Sequence, residues 1–385
     1  MTQAFDVVVV GAGYIGCSVS YHLCLAGLKV ALVDRGSIAA GASRANYGNI
    51  QIQDMELEKS TAMIKAAIPK FQNLEEELGY PIGYRKIGGL LLIENQAQWQ
   101  MMQERLIVVR EVGIESELIP ADRLKEVEPE IDPTHLLGAL YHAHEGQVDP
   151  FQFISAYLLR ARQKGISEFY YTEVSGFLVE GDRVTGVRTS QGDISAGVIV
   201  LCTGARTRDL VRSLGLSLDI HYVLGQAVVT EPVSLCLQNH IASASFFERT
   251  SNQKTGQILA NFAISQSPHG HFLLGEAMYE ADHFCTDVPY PSIPAVSRAF
   301  IRHFPSMSEL RVLRGWSAAV AHTSDSCPML GPLKSIKGVI LATAFRSTVI
   351  VTPLAGETVA QLVVEGKSEL DIEKFSPERK MSHAH

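Results

Sequence analysis

The sequence predicts an α/β protein, in which a mostly parallel sheet covered by helices carries a second, mainly antiparallel α+β domain. Three apolar runs predict the parallel strands: Phe5–Val10, Gly197–Cys202 and Gly338–Thr343. Each run is continuous rather than alternating, as expected of strands covered on both faces. Because the runs lie far apart in the chain, we expect the first domain to be discontinuous. Its predicted ranges are 1–80, 145–220 and 325–375, with 81–144 and 221–324 as the second domain and 376–385 as a frayed tail.

Composition narrows the class of protein. The chain has 385 residues, of which 46% are apolar and 19% charged, which suits two or three well-buried domains and argues against disorder. A net charge of −8 without a Lys/Arg cluster argues against nucleic-acid binding. The apolar runs are far shorter than the roughly 20 residues of a membrane span, and no signal peptide is recognisable. We therefore expect no transmembrane segment.

The cysteines and histidines indicate neither a metal site nor a disulfide framework. The six cysteines form no C-x-x-C pair, which favours a reducing, cytoplasmic location. His142 and His144, and likewise His269 and His271, could share a strand face, but neither pair has a third ligand at a suitable spacing. We predict no bound metal.

The chain begins with a predicted strand–helix–strand unit: Phe5–Val10, a helix from Tyr14 to Ala26, and Lys29–Val33. Between the first strand and the helix, residues 11–16 read Gly-Ala-Gly-Tyr-Ile-Gly and fit G-x-G-x-x-G. The first glycine permits a tight turn, the second lets the backbone approach a diphosphate, and the third lets helix and strand pack closely. The helix start offers free N–H groups to the phosphates. The complete unit predicts a dinucleotide site.

Asp34 follows the second strand, where an acidic residue can accept hydrogen bonds from both hydroxyls of a ribose. Its charge would repel a 2′-phosphate, which disfavours NADP. Residues 35–48 are rich in Gly, Ala and Ser and lack helical periodicity. An NAD domain usually continues into another helix, whereas such a loop lets backbone amides reach a larger, extended cofactor. The pattern favours FAD.

The remaining elements are predicted from periodicity and caps. Residues 58–78 have helical spacing, with a kink at Pro69. Asp149 and Pro150 suit the N-cap and first position of a helix that ends at Gly165. Residues 177–197 predict a meander of short strands, and 221–280 predict antiparallel strands. Near the C-terminus, Thr352 and Pro353 suit the start of a helix whose dipole would face the flavin O2.

At this point the sequence resembles the FAD-dependent amine oxidoreductases that include glycine oxidase, D-amino-acid oxidase and sarcosine oxidase. The resemblance covers nearly the whole chain and implies a Rossmann-like FAD-binding domain of the glutathione-reductase type plus an antiparallel substrate domain. It rests on short motifs in a specific order and spacing. Besides the N-terminal unit, these are residues 41–43 (GAS), 145–150 (EGQVDP), 201–205 (LCTGA), 224–226 (LGQ), Trp316 with 323–331 (TSDSCPMLG), and 345–348 (FRST) before 352–353 (TP).

Within that family, residues 44–50 and 345–348 look most like the smaller flavin subunit of bacterial opine (octopine or nopaline) oxidases. This likeness implies oxidation of a secondary-amine amino acid by hydride transfer to flavin N5, releasing arginine and a 2-oxo acid. It also implies a larger partner subunit, allows a second flavin at a subunit interface, and allows peripheral attachment to the inner membrane. Three alternatives stay open: a D-amino-acid, hydroxyproline or proline dehydrogenase, a self-sufficient oxidase like glycine oxidase, and a flavin-fold assembly subunit without turnover.

The resemblance also implies site residues. The family's amino-acid oxidases use an arginine shortly after the tryptophan-containing strand, but Val320 stands at that position here. We therefore consider Arg346, Arg249 and Arg314 as carboxylate readers and Tyr279 as a hydroxyl donor, and expect Trp316 in the core. The predicted FAD contacts are Gly11, Gly13, Tyr14, Ile15, Gly16, Asp34, Arg35, Ala42, Ser43, Asn46, Gly48, Val174, Thr203, Gly204, Phe345, Arg346, Ser347, Thr348 and Val349.

Overall fold

Two eight-stranded sheets organise the protein. The computed structural model describes residues 4–53, 55–111, 113–248, 259–281, 283–286 and 291–380. Its strands are β1 (Ala4–Val10), β2 (Val30–Val33), β3 (Asn49–Ile50), β4 (Gly89–Ile93), β5 (Ser116–Pro120), β6 (Gly138–His142), β7 (Gly146–Gln147), β8 (Ser167–Phe169), β9 (Val174–Glu180), β10 (Arg183–Thr189), β11 (Gly192–Leu201), β12 (His221–Pro232), β13 (His240–Ser243), β14 (Leu259–Gln266), β15 (His271–Ala281), β16 (Val312–His322), β17 (Met329–Pro332) and β18 (Val339–Thr343).

The helices lie between and around these strands. They are α1 (Tyr14–Leu25), α2 (Leu57–Ala67), α3 (Leu74–Leu78), α4 (Gln96–Glu111), α5 (Leu124–Val127), α6 (Pro150–Gln163), α7 (Thr207–Arg212), α8 (Ser292–His303) and α9 (Thr348–Glu365).

The first sheet has the order β17-β18-β11-β1-β2-β8, and β9 and β10 extend it antiparallel from β11. Within this order, the four neighbouring pairs β18–β11, β11–β1, β1–β2 and β2–β8 are parallel. All three apolar runs predicted as parallel strands belong to this sheet. The predicted meander is also present, and its last strand, β11, continues into the apolar run from Gly197. One strand therefore joins the surface meander to the centre of the sheet.

Helix α1 is buried on all sides because it packs against both α6 and α9. It is correspondingly apolar around its circumference, as expected of a core helix. Helix α9 is long and apolar enough, by length and composition alone, to cross a bilayer, but 56% of that stretch is buried within the protein. The packing against α1 identifies α9 as a core helix as well.

The predicted helix over 58–78 is interrupted where Pro69 lies. Helix α2 gives way to a 3-10 segment, Ile68–Gln72, before α3 resumes the helix and Gly79 ends it. Proline lacks the N–H that an α-helical turn needs, so the chain tightens there. The start of α6 is as predicted, since the Asp149 side chain accepts hydrogen bonds from the backbone N–H of Phe151 and of Gln152, each at 2.9 Å.

The second sheet has the order β16-β12-β15-β14-β13-β4-β6-β5. Its described pairs are antiparallel, as predicted for 221–280, apart from the parallel pair of β13 with β4. This pair joins the part of the sheet from 81–144 to the part from 221–324, and its paired residues lie 151 positions apart in the chain. Helix α8 covers the face of the sheet that carries Phe272 and Val228. Its other face looks toward the first sheet.

The prediction of a frayed C-terminal tail was wrong for residues 376–380. The Arg379 guanidinium is buried against the carboxylate of Asp325, with nitrogen–oxygen distances of 2.8 and 2.9 Å, and it also donates to the carbonyls of Cys327 and Pro328. Burial alone would raise the pKa of Asp325, but the guanidinium of Arg379 holds that pKa below its usual value. A buried, bidentate ion pair fixes this segment to the first domain. Residues 381–385 lie outside the described part of the chain.

Candidate active site

A cavity of about 320 Å³ lies between the two sheets. On the side of the first sheet, the cavity is lined by the start of α1, by Ala42, Ser43 and residues 45–47, and by the turn between β18 and α9. On the opposite side, the second sheet contributes residues of β12, β15 and β16. The cavity thus lies at the carboxyl ends of parallel strands, where α/β sheets place ligands.

The glycine-rich turn has the geometry that its sequence predicts. Gly11 has a φ of +107°, which side chains with a Cβ rarely adopt. A Cβ at Gly13 would lie 2.6 Å from Ser43 Oγ, and one at Gly16 would overlap the carbonyl oxygen of Gly11. The absence of a side chain at Gly13 therefore leaves space between the turn and the cavity. The absence of one at Gly16 lets the helix backbone pack against the Gly11 carbonyl.

Asp34 braces this turn from the end of β2. One carboxylate oxygen accepts the Ala12 N–H at 2.7 Å and the other accepts the Gly36 N–H at 2.7 Å. Each oxygen still has a second lone pair for a ligand hydroxyl. Its proposed contact with ribose stays a prediction.

Most of the other predicted cofactor residues surround the cavity, and a few lie apart from its lining. The residues on the cavity wall are Gly13, Tyr14, Ile15, Ala42, Ser43, Asn46, Gly204, Phe345, Arg346, Ser347, Thr348 and Val349. Gly48 supports the loop behind them, since its N–H donates to Asn46 Oδ1 at 2.7 Å. Thr203 bonds to Thr207 through its hydroxyl. Arg35 is exposed and lies over the Phe284 ring, and the Val174 side chain is buried in the core of the first sheet, so neither side chain lines this cavity.

Helix α9 begins five residues earlier than predicted. Its N-cap is Ser347, in the left-handed region with φ +47°, and Pro353 lies inside the helix. The Thr352 hydroxyl donates to the Thr348 carbonyl at 2.7 Å, one turn back, instead of capping a helix start. The helix end with its free N–H groups consequently lies at Thr348 and Val349, which line the cavity. Starting the helix earlier places the positive end of its dipole directly on the cavity wall.

Of the four catalytic candidates, the structure places Arg346 in the cavity. Its Nη2 lies 3.4 Å from Nδ1 of His322, which ends β16 and lines the same cavity. Arg314 is exposed on β16, and Tyr279 Oη approaches Cys285 Sγ at 3.7 Å. Neither residue lines the cavity, and the roles predicted for them stay predictions. Arg249 lies outside the described residues. Val320 does line the cavity, and the family arginine's position is therefore apolar here.

Sequence reasoning missed several residues of the cavity wall, among them Trp316, Tyr47 and Glu276. Trp316, expected in the core, lines the cavity and donates its indole N–H to the Ala45 carbonyl at 3.2 Å. Tyr47 packs edge-on against that indole. Burial, together with the nearby carboxylate of Glu276, raises the pKa of Tyr47 well above its ordinary value. Tyr47 lies within residues 44–50, the stretch that resembles the opine oxidases, but no sequence pattern indicates that its side chain lies against β15.

Behind the cavity wall lies a buried carboxylate. Glu145 accepts the Ile52 N–H at 2.7 Å and the Gln53 side-chain amide at 3.0 Å, and it lies 3.0 Å from His240 Nε2. Burial alone would raise the pKa of Glu145, but the imidazole and the hydrogen bonds hold it below its usual value. Gln53 lines the cavity, so this ionised carboxylate fixes one of its polar walls.

The arrangement fits a flavin dinucleotide. Two helix starts, those of α1 and α9, open on the same cavity, and neither N-cap residue, Gly13 or Ser347, caps its helix with its own side chain. At α1 the Ser43 Oγ accepts the Tyr14 N–H at 3.3 Å. The first-turn N–H groups of the two helices lie one set beside the glycine cradle and one set at the far wall. A dinucleotide with an anionic diphosphate and an electron-rich ring edge satisfies both helix ends. Within the described ranges, no cluster of three His, Cys, Asp or Glu residues could hold a metal ion.

Comparison with known proteins identifies the protein family to which the chain belongs. Residues 6–362 match the family model described as DAO, FAD dependent oxidoreductase. Since this match spans most of the chain, the protein belongs to that family of FAD-dependent oxidoreductases. The predicted fold class, the predicted enzyme class and the predicted FAD are confirmed.

Individual relatives are distant but span the full length. The chain is 25% identical to hydrogen cyanide synthase subunit HcnC of Pseudomonas protegens, covering 98% of this chain and 97% of that one. It is 26% identical to glycine oxidase of Geobacillus kaustophilus, covering 98% and 97%. Among solved structures, L-proline dehydrogenase from P. horikoshii superposes with a TM-score of 0.87 at 25% identity, over 98% of each chain.

Proposed function

We propose that this FAD-dependent oxidoreductase oxidises the C–N bond of a secondary-amine amino acid, with an opine such as octopine or nopaline as substrate and arginine plus a 2-oxo acid as products. The observation that carries this proposal is the charge arrangement of the cavity. Val320 removes the family's carboxylate reader from β16, while Arg346 supplies a guanidinium beside the start of α9. The site is therefore arranged differently from that of a simple glycine oxidase.

FAD, when bound, would supply the redox chemistry as the acceptor of a hydride from the carbon next to the substrate nitrogen, and water would hydrolyse the resulting imine to the amine and the 2-oxo acid. The protein's own residues orient the substrate and set the electrostatic potential. Arg346 holds a carboxylate by charge-assisted hydrogen bonds. The N-terminal end of α9 provides positive potential where negative charge develops at the ring edge. Trp316 and Tyr47 shield this part of the cavity from water.

We further propose that the chain works as the flavin-carrying subunit of a heteromeric dehydrogenase with a larger partner. The name of HcnC, a subunit of hydrogen cyanide synthase, supports this arrangement. The proposal includes a cytoplasmic location, which allows peripheral attachment to the inner membrane, and it allows a second flavin at the subunit interface.

The proposal is tested by purifying the chain alone and together with its operon neighbours, and assaying octopine and nopaline with dye electron acceptors. We expect a yellow, inactive single chain that becomes active with a larger partner. Hydrogen peroxide production by the chain alone would instead identify a self-sufficient oxidase. Turnover of proline, hydroxyproline or D-amino acids but not opines would favour the dehydrogenase alternative, which the likeness to L-proline dehydrogenase supports. A flavin-loaded complex without turnover would favour the assembly-subunit alternative.

A further inference from the structure

Residues 45–53 cross the second sheet along the cavity. At one end of this segment, the Ala45 carbonyl accepts the indole N–H of Trp316, which lies on β16. At the other end, Gln53 Nε2 approaches the Leu90 carbonyl of β4 at 3.5 Å. Four strands separate β16 from β4 in the order of the sheet. Gln53 therefore lies at the end of the segment that is remote from β16.

Three amide side chains of this segment, those of Asn49, Gln51 and Gln53, line the cavity. Ile50 and Ile52 alternate with them and are buried in the hydrophobic core that includes α1 and α9. Alternation of this kind is typical of an extended chain, whose successive side chains point to opposite sides. The isoleucines thus attach the segment to the first domain, and the amides are presented to the cavity.

A buried carboxylate determines the orientation of the Gln53 amide. Gln53 Nε2 donates to Glu145 Oε2 at 3.0 Å. Because the ionised Glu145 only accepts hydrogen bonds, the NH₂ group of Gln53 faces it and the carbonyl oxygen Oε1 points away. Gly89 on β4 makes room for this contact, since a Cβ there would overlap Glu145 Oε2 and lie 2.7 Å from Gln53 Nε2. On the side away from Glu145, Gln53 therefore presents an acceptor.

This acceptor, Gln53 Oε1, lacks a donor. Only 3% of Gln53 is exposed, and none of the residues that the structure describes donates a hydrogen bond to this oxygen. A buried carbonyl oxygen without a donor costs free energy, and most such groups in folded proteins are paired. The backbone beside it is held on both sides, because the Ile52 N–H donates to Glu145 and the Ile52 carbonyl accepts Arg105 Nη2 at 2.8 Å. A molecule bound in the cavity is placed to supply the missing donor.

We infer that Gln53 is a specificity-determining residue whose Oε1 accepts a hydrogen bond from an N–H group at the end of the substrate's side chain. Arg346 lies beside His322 at the end of β16, so a substrate held there by its carboxylate reaches Gln53 only if its side chain is long. The arginine-derived part of an opine is long and ends in N–H donors. The inference thus rests on the proposed function and narrows it to substrates with such side chains.

Other polar side chains line the cavity, among them Gln51, Gln226 and Glu276. The Gln226 amide also has no hydrogen-bond partner among the described residues, but no carboxylate orients it, so it can present either its oxygen or its NH₂ group. The acceptor at Gln53 is a neutral amide oxygen. It therefore binds a neutral N–H donor as well as a guanidinium, although less strongly.

The test uses the FAD-loaded complex and three opines that differ only in the amino-acid side chain. Octopine ends in a guanidinium, its citrulline analogue in a neutral urea group with N–H donors, and its norvaline analogue has no donor. Gln53→Met removes the acceptor at similar volume. We expect KM to rise about 10- to 100-fold for octopine and about 2- to 10-fold for the citrulline compound, the ranges for hydrogen bonds to charged and to neutral groups. The norvaline compound, and kcat for all three, should not change.

Gln98→Met is the matched control. Gln98 is also a buried glutamine, and its Oε1 accepts the Glu94 N–H at 2.7 Å, but it does not line the cavity. This variant should leave the ratios between the three KM values at their wild-type level. An equal rise in KM for all three opines in Gln53→Met would overturn the inference, because it would show that Gln53 supports the site through Glu145 without binding an N–H group.

The wild-type complex provides a second test that does not depend on the folding of a variant. We expect kcat/KM to fall from octopine to the citrulline compound and again to the norvaline compound, by about twofold or more at each step. Equal kcat/KM on the citrulline and norvaline compounds would overturn the inference.

A second set of substrates separates this inference from the proposed function. If the complex oxidises no opine but prefers Nα-methylarginine and Nα-methylcitrulline to N-methylnorvaline, and Gln53→Met removes that preference, the opine assignment fails and the role of Gln53 stands. If all three opines react equally well, the proposed function stands and the role of Gln53 fails.

Discussion

The glycine-rich turn and the opposite wall of the cavity are built in different ways. The turn comes from one continuous stretch, residues 11–36, in which Asp34 closes the loop by accepting the Ala12 and Gly36 N–H groups. The opposite wall carries Glu276 and Trp316 of the second sheet, and Tyr47, which packs against that indole, comes from more than 200 residues earlier in the chain. A local motif therefore reveals the cofactor site, whereas the substrate wall depends on how two sheets meet.

This difference predicts different responses to mutation. Changes in the turn should affect cofactor binding in proportion to how closely the backbone must approach the ligand. Changes in the wall should affect the choice and orientation of substrate, while the bound FAD stays in place.

The largest effect is expected from Gly13→Val. A side chain there meets the mobile Ser43 hydroxyl, so the fold should survive, but it fills the space through which a diphosphate reaches the start of α1. We expect loss of FAD, measured as the flavin-to-protein absorbance ratio after purification. Gly41→Ala is the control, since no neighbouring atom lies within 4 Å of its Cβ position. Full flavin content in Gly13→Val would mean that the diphosphate binds elsewhere.

Arg346→Ala tests the first-domain side of the substrate site. Because it removes one charge-assisted pair, worth about 1.5–3 kcal/mol, kcat/KM should fall by about tenfold to several hundredfold while most of the flavin stays bound. Lysine should rescue only part of the activity, since a point charge cannot reproduce the guanidinium fork. Steady-state kinetics on the complete complex with octopine and nopaline provide the measurement.

The matched control for Arg346 is Arg314→Ala, an exposed arginine on β16 outside the cavity lining, which should leave kinetics unchanged. Wild-type kcat/KM in Arg346→Ala would remove this residue from the substrate site and point to Arg249 as the remaining candidate.

Asp34→Ala should weaken FAD binding by about 1–3 kcal/mol, the range for hydrogen bonds to a charged group. The substitution removes an acceptor for the ribose and also releases the Ala12 and Gly36 N–H groups. Asp34→Asn, which keeps one acceptor oxygen, should lose less. Fluorescence titration of the apoprotein with FAD gives the two dissociation constants, and an unchanged value in both variants would rule out the ribose contact.

The smallest effect concerns the buried His142, whose Nδ1 lies 2.8 Å from Ser116 Oγ behind the second sheet. Burial lowers the pKa of His142 to about 4. The imidazole is therefore neutral when folded, and stability is lost as the pH falls from about 6.5 toward 4, because the unfolded state takes up the proton first. Between about pH 7.5 and 5.5 this loss should be about 1 kcal/mol.

The variant His142→Asn keeps an acceptor for Ser116 and cannot titrate, so this part of the pH dependence should disappear. Urea unfolding at the two pH values gives the change in the free energy of unfolding with pH for each protein. The difference between the change in the wild type and the change in the variant is the contribution of His142. An identical pH dependence in both proteins would show that other groups account for the acid sensitivity.

The sequence alone determined the parts whose physical causes are local. A continuous apolar run predicts a strand covered on both faces, which is why β1, β11 and β18 could be located without a structure. Gly11, Gly13 and Gly16 stand at fixed offsets because each meets a steric demand within one turn. Those demands, with the small-residue loop after Asp34, were enough to indicate FAD.

Only the tertiary structure decided which side chains share the cavity. The sequence placed Arg346 in the predicted flavin turn but could not say where the Arg314 side chain lies. In the structure Arg346 lies beside His322 and Arg314 in solvent, because the twist and pairing of β16 determine which of its side chains face the first sheet. Thr352 and Pro353 suit a helix start by local rules. Packing of α9 against α1 extends the helix back to Thr348 and outweighs the cost of an internal proline. Glu276 reaches the cavity through a bulge between β15 and β12, a feature of strand pairing over long sequence separation that no local pattern encodes.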